Sequence, residues 1–169
     1  MSAQPDASTV GDEPGLARAR RALDAAGIAY TITHHGPVRS LAEAAAARGV
    51  APSGIVKTLV VRRGADDHLF VLVPGGREIS WKKLRAHLGI NRISMPDAAG
   101  ALAVTGYERG TITPFGAAAA LPVVMDAHVT GTVSIGAGAH GAGATVATAD
   151  LVAALGADVA DVTDATPAT

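Results

Sequence analysis

The stretch Ile55-Val56-Lys57-Thr58-Leu59-Val60-Val61-Arg62-Arg63, followed by Gly64-Ala65-Asp66-Asp67-His68 and then Leu69-Phe70-Val71-Leu72-Val73-Pro74, decides the fold class. Two runs of β-branched and aliphatic residues flank a short Gly/Asp turn, which predicts an antiparallel hairpin over residues 55–74. Helical patterns lie on both sides of it. Residues 15–26 place Leu16, Ala19, Leu23 and Ala26 on one face and stop at Gly27. Ser40-Leu41-Ala42-Glu43 is a capping box opening an Ala-rich helix that Gly49 closes. Ser80 caps a helix over 81–88 ended by Gly89, Pro96 opens one that ends by Gly106, and Thr148 caps one running to Leu155. Further strands are expected at 29–33, 121–126, 132–135 and 158–162. A hairpin among helices breaks strict strand–helix alternation. The expected fold is therefore α+β, a single compact domain with a mixed sheet flanked by helices.

The chain has 169 residues, 49% of them hydrophobic but only 3% aromatic, so the core is built from Val, Leu, Ile and Ala. No repeat or linker divides it. Residues 1–14 and 164–169 read as disordered tails around a domain at 15–163. There is no cysteine, which excludes disulfide scaffolds, Cys-ligated metals and thiol nucleophiles. No apolar run approaches a membrane span and the N-terminus lacks a secretory pattern, so a cytoplasmic protein is expected. The net charge of −1 argues against a nucleic-acid partner until it is divided along the chain. Residues 1–54 are neutral, 55–92 carry +5, and 93–169 carry −6. Two readings of the basic third stand: ordinary clustering on a solvated surface, or a local phosphate-binding face.

Three features carry chemistry. Lys57 sits in a strand whose two faces are both apolar, with Leu59 and Val61 on its own side. Either its ammonium reaches a cavity, an acid or a ligand, or it snorkels at the wet end of the strand. The run Gly106-Tyr107-Glu108-Arg109-Gly110-Thr111-Ile112-Thr113-Pro114-Phe115-Gly116 is an irregular Gly/Pro loop. It serves either as a plain connection or as a nest of backbone N–H groups facing an anion or a carbonyl oxygen. Gly136-Ala137-Gly138-Ala139-His140-Gly141 matches the G-x-G-x-x-G dinucleotide fingerprint literally. No helix pattern follows it and the remaining chain is too short for that fold, so it reads as a second Gly-rich loop presenting His140. The histidines lack metal-ligand spacing, and a metal site would have to be assembled from scattered residues. The P-loop and nucleophile-elbow patterns are also missing.

Taken together and in order, Ile55-Val56-Lys57-Thr58, Gly106-Tyr107, Gly110-Thr111-Ile112-Thr113-Pro114-Phe115-Gly116 and Ala147-Thr148-Ala149-Asp150-Leu151 resemble the YbaK family. These bacterial proteins are similar to the editing domain inserted in prolyl-tRNA synthetase. The resemblance covers roughly residues 16–162. It implies a partly barrelled mixed sheet and hydrolysis of aminoacyl esters on mischarged tRNA, notably tRNA(Pro) carrying cysteine or alanine. It places Lys57 at the family's essential lysine. His35, Thr58, Gly110, Thr113, Pro114, Phe115, Gly116, Gly136, Gly138 and His140 fall at substrate-binding positions. Relatives often read Ser-Gly-Gly-Lys-Arg-Gly where this chain has 136–141, so a hydroxyl and two positive charges are lost. The implied partner is the aminoacylated 3′-terminal adenosine of a tRNA, with prolyl-tRNA synthetase a candidate second partner and the membrane none. No cofactor or metal is expected. The alternatives are a binding or regulatory module of the same fold and a hydrolase of another small acyl ester.

Overall fold

The structure is a computed structural model and describes residues 13–167. Its element order is α1 (Pro14–Ala26), β1 (Thr31–His34), α2 (Leu41–Arg48), β2 (Val56–Gly64), β3 (Asp67–Pro74), β4 (Arg77–Ile79), α3 (Trp81–Leu88), α4 (Ala98–Thr105), β5 (Val123–Asp126), β6 (Thr132–Gly136), β7 (Ala142–Ala147), α5 (Thr148–Leu155), β8 (Asp158–Ala160) and β9 (Thr163–Ala165). A four-stranded sheet has the order β2-β3-β5-β8, a three-stranded sheet β1-β7-β6, and β4 pairs with β9. The β2–β3 hairpin is antiparallel, whereas β3–β5 and β5–β8 are parallel, so the larger sheet is mixed as expected. An isolated parallel bridge from Ile55 to Ser134 joins the two larger sheets edge to edge.

Burial follows from this layering. Val56, Val60, Phe70, Leu72 and Met125 face a core shared with the smaller sheet, α1 and α5. Val61, Leu69, Val71, Val73 and Val124 face the other way and are covered by Leu84 of α3 and by Val162. The β2–β3 hairpin is thus packed on both faces, which its near-continuous apolar sequence anticipates. Asp126, at the end of β5, is buried without exposure. It accepts hydrogen bonds from the Val162 and His128 backbone amides and from the His128 ring. Burial alone would raise its pKa, but those bonds and one from Thr163 outweigh that, and the carboxyl is held below its ordinary value.

Helix ends agree closely with the sequence. Gly27, Gly49, Gly89, Gly106 and Gly156 all close helices in the left-handed conformation. The Ser40 and Ser80 hydroxyls accept from the amides of Glu43 and Lys83. Two caps differ. Asp97, not Pro96, starts α4, accepting from the Gly100 amide at 2.7 Å. Thr148 is the first residue of α5 and donates its hydroxyl to the Gly131 carbonyl, so Ala147 holds the cap position. Three strands are additions. The runs forming β4 and β9 are too short to show a period, and β7 is built of Gly, Ala, Thr and Val without polar alternation. The tail expected from 164 onward is, in its first two residues, part of β9. Of the tail expected at 1–14, residues 1–12 lie outside the described residues and Pro14 opens α1.

Candidate active site

β2 is an edge strand whose outer edge is held at two points, by Ile55 against Ser134 and by Arg62 against Ser94. Between those bridges the edge has no partner strand, and a cleft of about 370 Å³ runs along residues 55–60. An unpaired strand edge offers backbone donors and acceptors to whatever enters. The cleft is also lined by Met95 to Ala98, the segment that leads into α4, and by Arg109, Gly110, Ile112 and Gly136. Lys57 is exposed and lines this cleft. Its exposure and its place on the cleft are compatible with both readings of its strand position. Thr58 faces inward, is 7% exposed and has a buried hydroxyl oxygen with no hydrogen-bond partner.

The Gly/Pro loop is fixed from behind. Tyr107 is buried, donates its hydroxyl to the Phe115 carbonyl at 2.6 Å, and stacks its ring under Arg18 at 4.3 Å. Burial raises the Tyr107 phenol pKa, so it stays a neutral donor. Thr105 takes the Tyr107 amide on its hydroxyl, and the Gly138 amide donates to the Thr111 carbonyl at 2.9 Å. A Cβ on Gly136 would overlap the Ile112 carbonyl, so glycine is what lets the loop lie against β6.

The expected site residues therefore separate. Lys57, Thr58, Gly110 and Gly136 line one cleft. Thr113 and Phe115 are buried and Gly116 packs against the Tyr107 hydroxyl, so these support the loop, with Pro114 between them half-buried. Gly138 packs on Gly15 and Tyr107. His140 is exposed, pairs with Glu108 at 3.1 Å and lines a second groove of about 210 Å³ behind Gly110. His35 does not line the cleft. Its Nε2 accepts from Nε of Arg48 at 3.1 Å and its Nδ1 donates to the Gly36 carbonyl at 2.8 Å, an arrangement that sets the tautomer.

Arg48, Arg109 and Asp97 line the cleft without having been singled out in the sequence. Arg48 ends an Ala-rich helix, where a basic residue is ordinary, so nothing local marks it. Burial lowers its pKa, although a guanidinium remains charged. Among the described residues Lys57, Arg48 and Arg109 have no carboxylate at ion-pair distance. Several other cations of the basic third are committed elsewhere. Arg63 pairs with Asp67, Arg77 bonds Thr163, and Lys83 bonds Asp161, Asp164 and the Thr163 carbonyl. The positive face at the cleft is thus assembled from three separate segments.

Among the described residues, one group of possible metal ligands lies away from the cleft. Asp126, His128 and Asp161 bring ligand atoms within 4.8 Å of one another, and Asp126 already accepts from two backbone amides and the His128 ring. No helix among the described residues is long and apolar enough to cross a membrane.

Comparison with known proteins identifies the family of the chain. The family model of the aminoacyl-tRNA editing domain matches residues 35–154, which include every cleft residue named above. A proline–tRNA ligase of Trichlorobacter lovleyi is 36% identical over 98 residues, 58% of this chain and 17% of the ligase. One from Thermosipho melanesiensis is 36% identical over 85 residues, 50% of this chain and 15% of the ligase. The chain thus matches less than a fifth of either ligase. A crystal structure of a proposed trans-editing enzyme for prolyl tRNA synthetase superposes with a TM-score of 0.81 at 25% identity, covering 90% of this chain and 98% of that one. A hypothetical protein of known structure gives 0.78 at 29% identity, covering 87% and 99%. The chain belongs to the aminoacyl-tRNA editing domain family.

Proposed function

We propose that this protein is a trans-editing deacylase that hydrolyses the ester linking a wrong amino acid to tRNA, with tRNA(Pro) carrying alanine or cysteine as the substrates. The observation that carries the reading is the cleft itself, in which unpaired cations meet an unpaired strand edge and apolar walls. Such a site suits a polyanionic end bearing a small side chain. Ile55, Val60, Ala101 and Ile112 supply the apolar surface.

An aminoacyl ester is already activated, so no protein nucleophile is required. Water adds to the ester carbonyl carbon, the tetrahedral oxyanion collapses, and the ribose oxygen leaves with a proton, giving free amino acid and tRNA. The neighbouring ribose hydroxyl positions the water, which makes the reaction substrate-assisted. The protein's part is placement and charge stabilisation. Lys57 holds the terminal nucleotide or the carbonyl, and backbone N–H groups at the Gly110 end of the loop face the developing oxyanion. Thr113, Phe115 and Gly116 act by fixing that loop, and the His140–Glu108 pair backs it at Gly110.

A panel of tRNA(Pro) charged with Ala, Cys, Ser or Pro tests the reading. Hydrolysis above the buffer rate for at least Ala or Cys, weakening with added salt as phosphate contacts require, is the expected result. Saturable tRNA binding with no hydrolysis would make the protein a binding module. Activity on small free esters with indifference to tRNA would make it a different esterase.

A further inference from the structure

Arg48 has the attributes of a ligand-binding arginine that no acid neutralises. It reaches the cleft from the last turn of α2 across β7, and this path exists only because position 143 is glycine. A Cβ there would stand 2.9 Å from both Cδ and Nε of Arg48 and 2.8 Å from the Ser134 hydroxyl. Its Nε–H donates to His35 Nε2 at 3.1 Å and Nη1 donates to the Ser134 hydroxyl at 3.4 Å, and Ser134 is fully buried. A guanidinium carries five N–H donors. Two are used, and among the described residues the other three have no acceptor. Half-burying a cation in this state costs free energy that a bound anion would recover. Lys57, by contrast, lines the same cleft as a compact charge on a four-carbon stem.

We infer that Arg48 is a phosphate-binding residue of the cleft. Its planar fork is held in place by His35, Ser134 and the missing side chain at Gly143, and it takes the phosphate of the terminal nucleotide. His35 is then a positioning residue acting through Arg48. The phosphate's source, the tRNA 3′ end, rests on the editing reading, whereas the anion-binding role rests on the geometry alone.

Adenosine 5′-monophosphate and adenosine, titrated calorimetrically into the full chain, separate the two. The wild type is expected to bind the monophosphate roughly ten- to a hundredfold tighter than adenosine, the range of a charge-assisted fork. Arg48→Gln is expected to remove that preference while keeping adenosine affinity, which also certifies its fold. His35→Phe should lose several-fold in monophosphate affinity and His35→Gln, which restores an acceptor, should recover it. A purely structural histidine would not give this pattern. Equal wild-type affinity for the two ligands, measurable or not, would overturn the inference, as would Arg48→Gln retaining the preference. Wild-type protein that deacylates tRNA without preferring the monophosphate refutes Arg48 and spares the editing reading. A preference abolished in Arg48→Gln, in a protein that deacylates nothing, does the reverse.

Discussion

Lys57 and Lys83 belong to the same basic third of the chain, yet their surroundings are opposite. Lys83, on α3, touches Asp161 and Asp164 at 3.2 and 3.1 Å and donates to the Thr163 carbonyl at 2.7 Å. The hydrogen bond that Lys83 donates to Asp164, set against partial desolvation and joined by the one to Asp161, raises its pKa. It ties α3 to the β8–β9 end of the molecule. Lys57 stands in a cleft with Arg48 and Arg109 and with no acid at ion-pair distance among the described residues. A positive charge that the protein answers itself is architecture, while one left unanswered in a concave site points to a ligand. Position in the basic segment does not tell them apart; their partners do.

The largest expected effect of breaking this contrast is at the cleft. Lys57→Glu should cut deacylation by at least ~100-fold, the scale seen when one charge-stabilising group is lost, without shifting the melting temperature. Gly136→Ala comes next. Its Cβ must displace the Ile112 carbonyl, costing about 1–3 kcal/mol of stability, with roughly tenfold slower deacylation as the loop moves off the cleft.

These outcomes bear on what the sequence could disclose. Lys57, Gly110 and Gly136 were legible because residue type and spacing single them out. Arg48 and Asp97 were not, because each looks like an ordinary helix end, and only the tertiary path over Gly143 gives the arginine its exposure to the cleft. His35 was expected at a substrate-binding position, whereas its contact is with Arg48 rather than with the cavity. His140 followed the glycine fingerprint into a neighbouring groove. In the fold, strong periods and glycine stops carried the helices and the β2–β3 hairpin. The strand β7 was hidden because Ala and Gly fill a tightly packed sheet without an alternating pattern.

Away from the cleft the expected effects fall on stability and not on rate. Asp126→Asn places an amide against the donors that the carboxylate accepts, which should cost about 2–3 kcal/mol and leave deacylation unchanged once folded. The folded-state pKa of Asp126 is depressed, so its contribution is complete above the unfolded value of roughly 3.9 and is lost as pH falls through the folded value. Denaturant melts from pH 6 downward should therefore show the wild type losing stability more steeply than Asp126→Asn. The smallest effect belongs to Lys82→Ala. This side chain is exposed on α3, so both melting and rate should match the wild type.

One paired measurement bears on the central claim most directly: single-turnover deacylation of Ala-tRNA(Pro) by Lys57→Ala beside Lys83→Ala. The account predicts that Lys57→Ala falls to near the buffer rate with an unchanged fold. Lys83→Ala keeps the wild-type rate and melts slightly lower. A Lys57→Ala protein that hydrolyses the ester as fast as the wild type, or two variants that slow alike, would contradict it.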